Sequence, residues 1–205
     1  MIVILDYGMG NPGSIKNMIR KVGGQASIEK NPETLKDASA IILPGIGSYD
    51  NGVTKLKKSG LWDALQIEVQ EKKKPFLGIC LGMQLLLESS EEGKLAGLGW
   101  ISGHVRKFSA SELKIPHMGW NDLHIQQSSH VLFQDFEAEP RFYHVHSYHA
   151  DDIPVDQVLG TCTYGYEFVS LVGKENILGC QFHPEKSHRF GKKVFENFLR
   201  IIESC

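Results

Sequence analysis

The first half of the chain alternates short apolar runs with amphipathic stretches. Runs such as Ile2–Leu5 and Ala40–Leu43 are apolar at every position, which is typical of strands buried on both faces of a sheet. The stretches between them have the apolar spacing of helices that cover such a sheet. The pattern therefore predicts βαβ units and a parallel sheet. Strands are predicted at 2–5, 26–28, 40–43 and 75–79, and helices at 14–22, within about 53–73 and at 83–89.

From Trp100 onward the pattern changes to strand-like pieces separated by turns. We expect these strands to extend the α/β core in antiparallel orientation. They are predicted at 101–108, 141–148, 168–172 and 177–182, before a closing helix at 190–202. The absence of a repeat or a linker in the sequence favours one domain over residues 1–205. The predicted fold class is α/β, with a mostly parallel central sheet flanked by helices and added antiparallel strands.

Composition narrows the functional classes. With 205 residues and 41% hydrophobic content, the chain is long enough for one sizeable core. A net charge of −2 from 22 basic and 24 acidic residues predicts neither nucleic acid nor a membrane as a partner. The four cysteines lack zinc-site spacing and are few for a disulfide scaffold, and the start resembles no signal peptide. We therefore expect a soluble, cytoplasmic protein without a bound metal.

The segment 78–82, GICLG, is the sharpest local feature because it joins an apolar strand to a helix. This is the layout of a nucleophile elbow with cysteine in the place of serine. Flanking glycines permit the tight turn, and the start of the helix directs its dipole at the Cys80 sulfur, which favours a thiolate. The main-chain N–H of Leu81 is then a candidate oxyanion donor. The alternative is a buried core cysteine beside packing glycines.

A base for this thiolate is predicted at the end of the apolar strand 177–182. His183 is followed by a proline and then by Glu185. Proline favours an exposed turn, in which Glu185 orients one imidazole nitrogen while the other faces Cys80. His183 is then the general acid and base of a cysteine triad. The alternative is a histidine bonded to a backbone carbonyl beside a surface charge.

Six ordered stretches carry a resemblance to a known family. They are 6–11 (DYGMGN), 43–47 (LPGIG), 78–84 (GICLGMQ), 116–121 (PHMGWN), 145–148 (VHSY) and 181–187 (QFHPEKS). Over essentially its whole length the chain resembles the class I, triad-type glutamine amidotransferases with their flavodoxin-like fold. Within that family it is most similar to glutaminase subunits of imidazole glycerol phosphate synthase. The resemblance implies that Cys80, His183 and Glu185 hydrolyse glutamine to glutamate and ammonia, without a cofactor.

The resemblance also implies the substrate and oxyanion residues. Gln84 and Glu92 are expected to contact glutamine, with Glu91 as an alternative to Glu92; a helix extended through 84, 88 and 92 would place them on one face. Further substrate contacts are implied for Gly47, His146, Ser147 and Tyr148. The oxyanion site is implied to comprise Leu81 with Gly45, Ile46 and Gly47, and we expect a peptide of the last three to reorient before catalysis.

A partner is implied as well, because ammonia released into water is lost. Relatives pass it to a (β/α)₈ barrel synthase or cyclase, so we expect a heterodimer that serves histidine biosynthesis. Asn11, Trp120 and Lys186 lie in stretches that face the synthase in relatives. We also expect low activity without the partner. A paralogous glutaminase that supplies another synthase, such as one that amidates a surface-polysaccharide sugar, is the alternative.

Two motifs favour other classes of protein. The segment 8–13, GMGNPG, with Glu29 beyond it, has the spacing of a dinucleotide-binding loop, but Pro12 removes an N–H where pyrophosphate would bind. His144 and His146, with His149 beyond, have strand spacing that would suit a metal hydrolase, although no cysteine or carboxylate completes the set. A non-catalytic scaffold with the same fold is a third alternative, against which the intact triad motifs argue.

Overall fold

A mixed β-sheet forms the centre of the molecule. The structure is a computed structural model that describes residues 1–109, 113–136 and 139–204. Each pair of neighbours among its five central strands is parallel, so a parallel α/β core is present as predicted. The order of these strands is β2 (Ala26–Glu29), β1 (Ile2–Leu5), β3 (Ala40–Leu43), β4 (Phe76–Ile79) and β13 (Ile177–Cys180).

Antiparallel strands extend this core on the β13 side. The long strand β12 (Tyr166–Lys174) pairs with β13, with β10 (Tyr148–Asp151) and with β11 (Val158–Tyr164). Three short strands complete the sheet: β5 (Ser89–Ser90), β6 (His104–Lys107) and β8 (His124–Ile125). A separate antiparallel pair consists of β7 (His117–Asp122) and β9 (Arg141–His146).

Helices cover both faces of the sheet and bury two apolar clusters. Alternation along β1 sends Val3 and Leu5 into one cluster and Ile2 and Ile4 into the other, as expected for a strand covered on both faces. The α-helices are α1 (Pro12–Lys21), α2 (Tyr49–Lys58), α3 (Leu61–Leu65), α4 (Leu81–Gln84) and α5 (His188–Glu203). Gln66–Glu71 is a π-helical turn, and 3₁₀ turns occur at Pro32–Asp37, Val131–Phe133, Val155–Gln157 and Pro184–Lys186. Among the described helices, none combines the length and the apolar character needed to cross a bilayer.

Two helix predictions are wrong in extent. The helix predicted within 53–73 is broken at Gly60, whose φ of +75° is left-handed and ends a helical path. The helix predicted at 83–89 ends at Gln84, and Ser89 begins a strand. The carbonyls of Leu85 and Leu86 accept hydrogen bonds from Leu98 and Trp100 instead of continuing the helix. Tertiary pairing with the segment 97–101 thus replaces the last helical turns.

The strand predictions after Trp100 are correct in type but not in detail. β13 is parallel to β4, so the expectation that all these strands are antiparallel is wrong for it. The strand predicted at 141–148 is two strands that separate at Ser147, and the strand predicted at 101–108 starts only at His104. Neither β7 nor β11 was predicted as a strand.

The carboxyl ends of three parallel strands meet at one edge. β3 leads into Gly45, β4 into Cys80 and β13 into Gln181 and His183. This edge of an open α/β sheet is where such folds bind their ligands. The three free thiols in the described residues are Cys80, Cys162 and Cys180, whereas Cys205 lies outside them.

Two helix glycines should respond oppositely to alanine. A Cβ at Gly191 in α5 would lie 1.7 Å from the Pro184 carbonyl oxygen, whereas one at Gly13 in α1 would meet only the Asn11 side chain at 3.6 Å. We expect Gly191→Ala to lower the free energy of unfolding by about 1–3 kcal/mol through overpacking. Gly13→Ala should leave it unchanged or raise it by up to about 1 kcal/mol. Urea unfolding measures both, and equal effects would contradict this packing.

Candidate active site

Cys80 occupies a strained turn between β4 and α4. Its φ of +55° is left-handed, and its N–H donates to the Cys180 carbonyl at 2.8 Å. The turn also needs glycine at position 82, because a Cβ there would lie 1.9 Å from the Leu43 carbonyl oxygen. Cys80 is 7% exposed and lines a pocket. The local sequence therefore presents one sulfur atom at the end of the sheet.

The segment that carries His183 is fixed to strand β9. The His183 N–H donates to the Tyr143 carbonyl at 2.9 Å. Buried Ser187 donates from its hydroxyl to the His183 carbonyl at 2.6 Å and accepts from the Tyr143 N–H at 3.0 Å. Pro184 starts a 3₁₀ turn that returns Glu185 towards the imidazole. These bonds set the position of the ring before its side chain makes any contact.

His183 and Glu185 form a buried pair. His183 Nδ1 donates to Glu185 Oε1 at 2.8 Å, which leaves Nε2 buried and available to Cys80. Burial lowers the pKa of His183, but hydrogen bonding and charge from Cys80 and Glu185 outweigh it and raise the pKa to about 9. The three predicted triad residues are thus close enough to interact, in the order that a cysteine nucleophile with an oriented base requires.

A pocket of about 580 Å³ opens above Cys80, a size suited to a small ligand. All six residues predicted to contact substrate line it: Gly47, Gln84, Glu92, His146, Ser147 and Tyr148. Leu81, Ile46 and Lys186 line it too. Glu91 instead accepts from the Lys107 N–H at 2.8 Å and lines a different cavity, which favours Glu92 over Glu91.

Gln84 and Glu92 reach this pocket by a route that the sequence interpretation missed. The helix that was to place them on one face ends at Gln84, so that argument is wrong. Glu92 is held instead by α2, because its Oε2 accepts from the Tyr49 N–H at 2.8 Å. A carboxylate at the start of a helix is favourably placed in the helix dipole. Glu92 thus brings negative charge to the end of the pocket that α2 borders.

The predicted oxyanion donor already has a partner. The Leu81 N–H donates to the Gly45 carbonyl at 3.3 Å, so that carbonyl occupies the place an oxyanion would need. The Tyr7 hydroxyl donates to the neighbouring Pro44 carbonyl at 2.8 Å and holds the segment there. Burial, with a smaller contribution from Cys80, raises the pKa of Tyr7, so its hydroxyl stays protonated. Reorientation of a peptide between Gly45 and Gly47 stays a prediction.

Of the residues predicted at a partner interface, Lys186 lines the same pocket as Cys80, whereas Asn11 and Trp120 do not. Asn11 caps α1 by accepting from the Ser14 N–H at 3.2 Å. Trp120 on β7 is 44% exposed and stacks on His188, with ring centroids 5.4 Å apart. The Lys186 ammonium lies 5.9 Å from the centre of the Tyr143 ring.

The histidines considered as metal ligands form a different cluster. His149 contacts the Tyr166 hydroxyl, while His144 and His146 are joined by His117, with nitrogen atoms of all three within 4.8 Å of one another. Asn121 Nδ2, which donates to the Thr163 carbonyl, lies 3.2 Å from His117 Nε2. His117 therefore carries its proton on Nδ1 and donates to His146 at 3.0 Å.

This proton arrangement describes a hydrogen-bonded histidine network. The proton on His117 Nδ1 lies in a 3.0 Å hydrogen bond to His146 Nε2. Burial lowers the pKa of His117 to about 4 and that of His146 to about 3, so both rings are neutral. That the protein holds no metal stays a prediction.

The loop considered for a dinucleotide is packed against the oxyanion segment. A Cβ at Gly10, whose φ is +85°, would lie 3.1 Å from both the Gly45 nitrogen and the Pro44 side chain. Gly10 therefore allows close contact between two protein segments. This accounts for the glycine without a cofactor phosphate.

Comparisons with known proteins show the family of the chain. The family described as "Glutamine amidotransferase class-I" matches residues 3–202. The chain is 52% identical over 201 residues to "Imidazole glycerol phosphate synthase subunit HisH 2" of Methanococcus maripaludis, covering 98% of this chain and 99% of that protein. It is 46% identical to "Imidazole glycerol phosphate synthase subunit HisH" of Sulfurimonas denitrificans, with 98% of each chain covered. A solved structure titled "Crystal structure of glutamine amidotransferase" has a TM-score of 0.78 at 18% identity, covering 99% of this chain and 100% of that one.

Sequence reasoning missed three residues around the site. Tyr7, Gln181 and Ser187 all lie inside the matched stretches, but no role was predicted for any of them. Their partners Pro44, Cys80 and Tyr143 are distant in sequence. The available signal was a polar residue at a buried strand end, which requires a hydrogen-bond partner.

The His183 pair makes a testable electrostatic prediction. Glu185→Gln replaces a charged acceptor with a neutral one, so the pKa of His183 should fall from about 9. Because the folded protein stabilises protonated His183, this residue contributes to the free energy of unfolding. The contribution is complete below the ordinary pKa of 6.5 and is lost as pH rises through about 9. The wild type should therefore lose more stability than the variant between about pH 6 and about pH 10. NMR titration of His183 and urea unfolding at several pH values test this. An unchanged midpoint of the His183 NMR titration in Glu185→Gln would contradict the prediction.

Proposed function

The chain belongs to the class I glutamine amidotransferases, and we propose that it is the glutaminase subunit of an imidazole glycerol phosphate synthase. The full-length similarity to proteins with that name supports the assignment. The observation that carries the chemistry is the buried Cys80, His183 and Glu185 set beside a pocket that accommodates an amino acid. The amidotransferase domain is proposed to span residues 1–205.

Catalysis starts with the Cys80 thiolate, which attacks the side-chain carboxamide carbon of glutamine. His183 is then positively charged, and Glu185 stabilises that charge through the 2.8 Å bond to Nδ1. His183 Nε2 protonates the leaving nitrogen, and ammonia departs from a γ-glutamyl thioester. Water activated by the same imidazole hydrolyses the thioester and releases glutamate.

The rest of the pocket binds and polarises the substrate. Glu92 supplies negative charge for the α-ammonium group of glutamine, and Gln84 and Tyr148 line the same pocket as Glu92 and Cys80. The Leu81 N–H stabilises the oxyanion once the Gly45 carbonyl has moved away. Until then a negative oxygen would meet a carbonyl dipole, so we expect low activity in the isolated chain.

The partner is a (β/α)₈ cyclase subunit that receives ammonia in histidine biosynthesis. Exposed Met118 and Trp120 on β7, with His188 and Lys186 beside them, form the proposed synthase face. It borders the pocket through Lys186, so a partner bound there would lie next to the place where ammonia is released. We assign Asn11 to the same interface by resemblance. The working form is a cytoplasmic heterodimer, and this chemistry requires neither metal nor cofactor.

Replacement of the nucleophile gives the direct test. Cys80→Ala should lower glutamate release by about a thousandfold or more, because the thioester cannot form. Cys162→Ala is the matched control, since Cys162 is also buried but lies outside the pocket. Glutamate release with excess partner and acceptor measures both, after unfolding curves confirm that each variant is folded. Hydrolysis by Cys80→Ala would refute the assignment of the nucleophile.

The identity of the synthase is tested in the same assay. We expect the cyclase of histidine biosynthesis from the same genome, with its acceptor, to raise glutamate release well above that of the isolated chain. Stimulation only by another barrel synthase would retain the glutaminase and reject the histidine pathway. High activity of the chain alone would contradict the blocked oxyanion site.

The synthase face should depend on its exposed tryptophan. Trp120→Ala should weaken the complex by about 2 kcal/mol or more, because aromatic residues at the centre of an interface contribute most of its affinity. Trp62→Ala is a control of the same residue type, on α3 outside the proposed face. Titration calorimetry with the cyclase subunit gives both affinities. Equal losses in the two variants would argue against this location of the interface.

A further inference from the structure

Gln181 places a neutral amide against the candidate nucleophile. It follows β13 directly, is completely buried, and donates its main-chain N–H to the Ser170 carbonyl at 2.8 Å. Its side-chain Nε2 donates to Cys80 Sγ at 3.7 Å. Its Oε1 accepts from Gln84 Nε2 at 3.1 Å. Both ends of the amide are therefore engaged inside the protein.

The orientation of this amide follows from its neighbours. Gln84 Nε2 also lies 3.2 Å from the Tyr148 carbonyl oxygen, which only accepts hydrogen bonds. The Gln84 amide must therefore present its nitrogen to both partners, and the atom of Gln181 that faces it must be oxygen. The nitrogen of Gln181 is then the atom that remains for the Cys80 sulfur. A flipped amide would lose both bonds.

The Tyr148 carbonyl is fixed by a second donor. His146 Nδ1 donates to it at 2.7 Å, and His146 Nε2 accepts from His117, which accepts in turn from Asn121. We call the five side chains of Asn121, His117, His146, Gln84 and Gln181 the amide–imidazole chain. His146 and Gln84 are joined through the Tyr148 carbonyl, which accepts from both, and the side-chain links on either side of it each have one donor and one acceptor when both rings are neutral. The amide–imidazole chain joins β7, which carries Trp120, to the sulfur.

We propose that Gln181 is a positioning residue of the glutaminase site, which holds the Cys80 sulfur and favours its thiolate, and that Gln84 keeps the Gln181 amide in this orientation. The inference rests on the proposed function only for the role of Cys80 as nucleophile. A hydrogen bond to a charged acceptor is about twice as strong as one to a neutral acceptor, so a fixed N–H favours the thiolate over the thiol. It also limits the sulfur to one place relative to His183.

The test measures alkylation of Cys80 by iodoacetamide against pH in the isolated chain. All variants carry Cys205→Ser, and Cys80→Ala gives the residual signal. Cys162 and Cys180 are buried away from the pocket, whereas Cys80 lines it. Gln181→Met should lower the alkylation rate at neutral pH about tenfold and raise the midpoint of the rate–pH curve by about one unit. Gln127→Met is the matched control, since Gln127 also makes two hydrogen bonds, to main-chain carbonyls far from Cys80. It should leave rate and midpoint unchanged.

Gln84→Met provides a second, independent variant. It frees the Gln181 amide, so the midpoint should shift in the same direction but less than in Gln181→Met. The double variant should match Gln181→Met alone, since both changes act through one hydrogen bond. A wild-type rate and midpoint in folded Gln181→Met, an equal shift in Gln127→Met, or additive shifts in the double variant would overturn the proposal. Because neither glutamine nor a partner is needed, failure of the proposed pathway would leave this result unaffected.

Discussion

The close approach of α4 to the end of β3 is the constraint on which the site depends. Only a residue without a Cβ fits at position 82 against the Leu43 carbonyl, and Cys80, two residues earlier in the same turn, has a left-handed φ of +55°. Such a conformation costs a non-glycine residue about 1–3 kcal/mol and persists only where surrounding bonds determine it. Here the Cys80 N–H is bonded to β13 and its carbonyl accepts from Met83 and Gln84. The strain fixes the sulfur at the sheet edge, where the oxyanion segment and His183 also arrive.

The same close packing explains why the candidate oxyanion donor, the Leu81 N–H, already has a hydrogen-bond partner. The segment after β3 passes so close to α4 that the Gly45 carbonyl accepts from the Leu81 N–H. Tyr7 holds the preceding carbonyl from the loop after β1, and that loop ends at Asn11, on the proposed interface. A partner that contacts this loop is therefore mechanically connected to the oxyanion segment. This connection supports the proposal that activity depends on the partner.

Sequence predicted the parts of the fold whose burial is uniform. Ile2–Leu5 and Ala40–Leu43 are apolar throughout because helices cover both faces of the sheet, and both strands lie where they were predicted. β11 was missed because its Gly160 and two threonines obscure the pattern, although most of the strand is buried. The helix at 83–89 failed because the segment 97–101, distant in sequence, takes its hydrogen bonds. Local periodicity contains no information on such pairings.

In the site, too, the sequence predicted the residues that belong to local motifs, but not those whose role depends on contacts with residues distant in sequence. The residue types of Cys80, His183 and Glu185 indicate their chemistry, so motif and spacing were enough to propose them. The assignment of Gln181 needed the positions of Cys80 and Gln84, each about a hundred residues away. Burial lowers the pKa of both His146 and His183, but their partners lead to opposite results. The Tyr148 carbonyl offsets burial only partly in His146, whose pKa is lowered to about 3, whereas Cys80 and Glu185 outweigh burial in His183 and raise its pKa to about 9. In the proposed mechanism, proton transfer is thereby confined to His183, while the neutral amide–imidazole chain orients the Cys80 sulfur without competing for its proton.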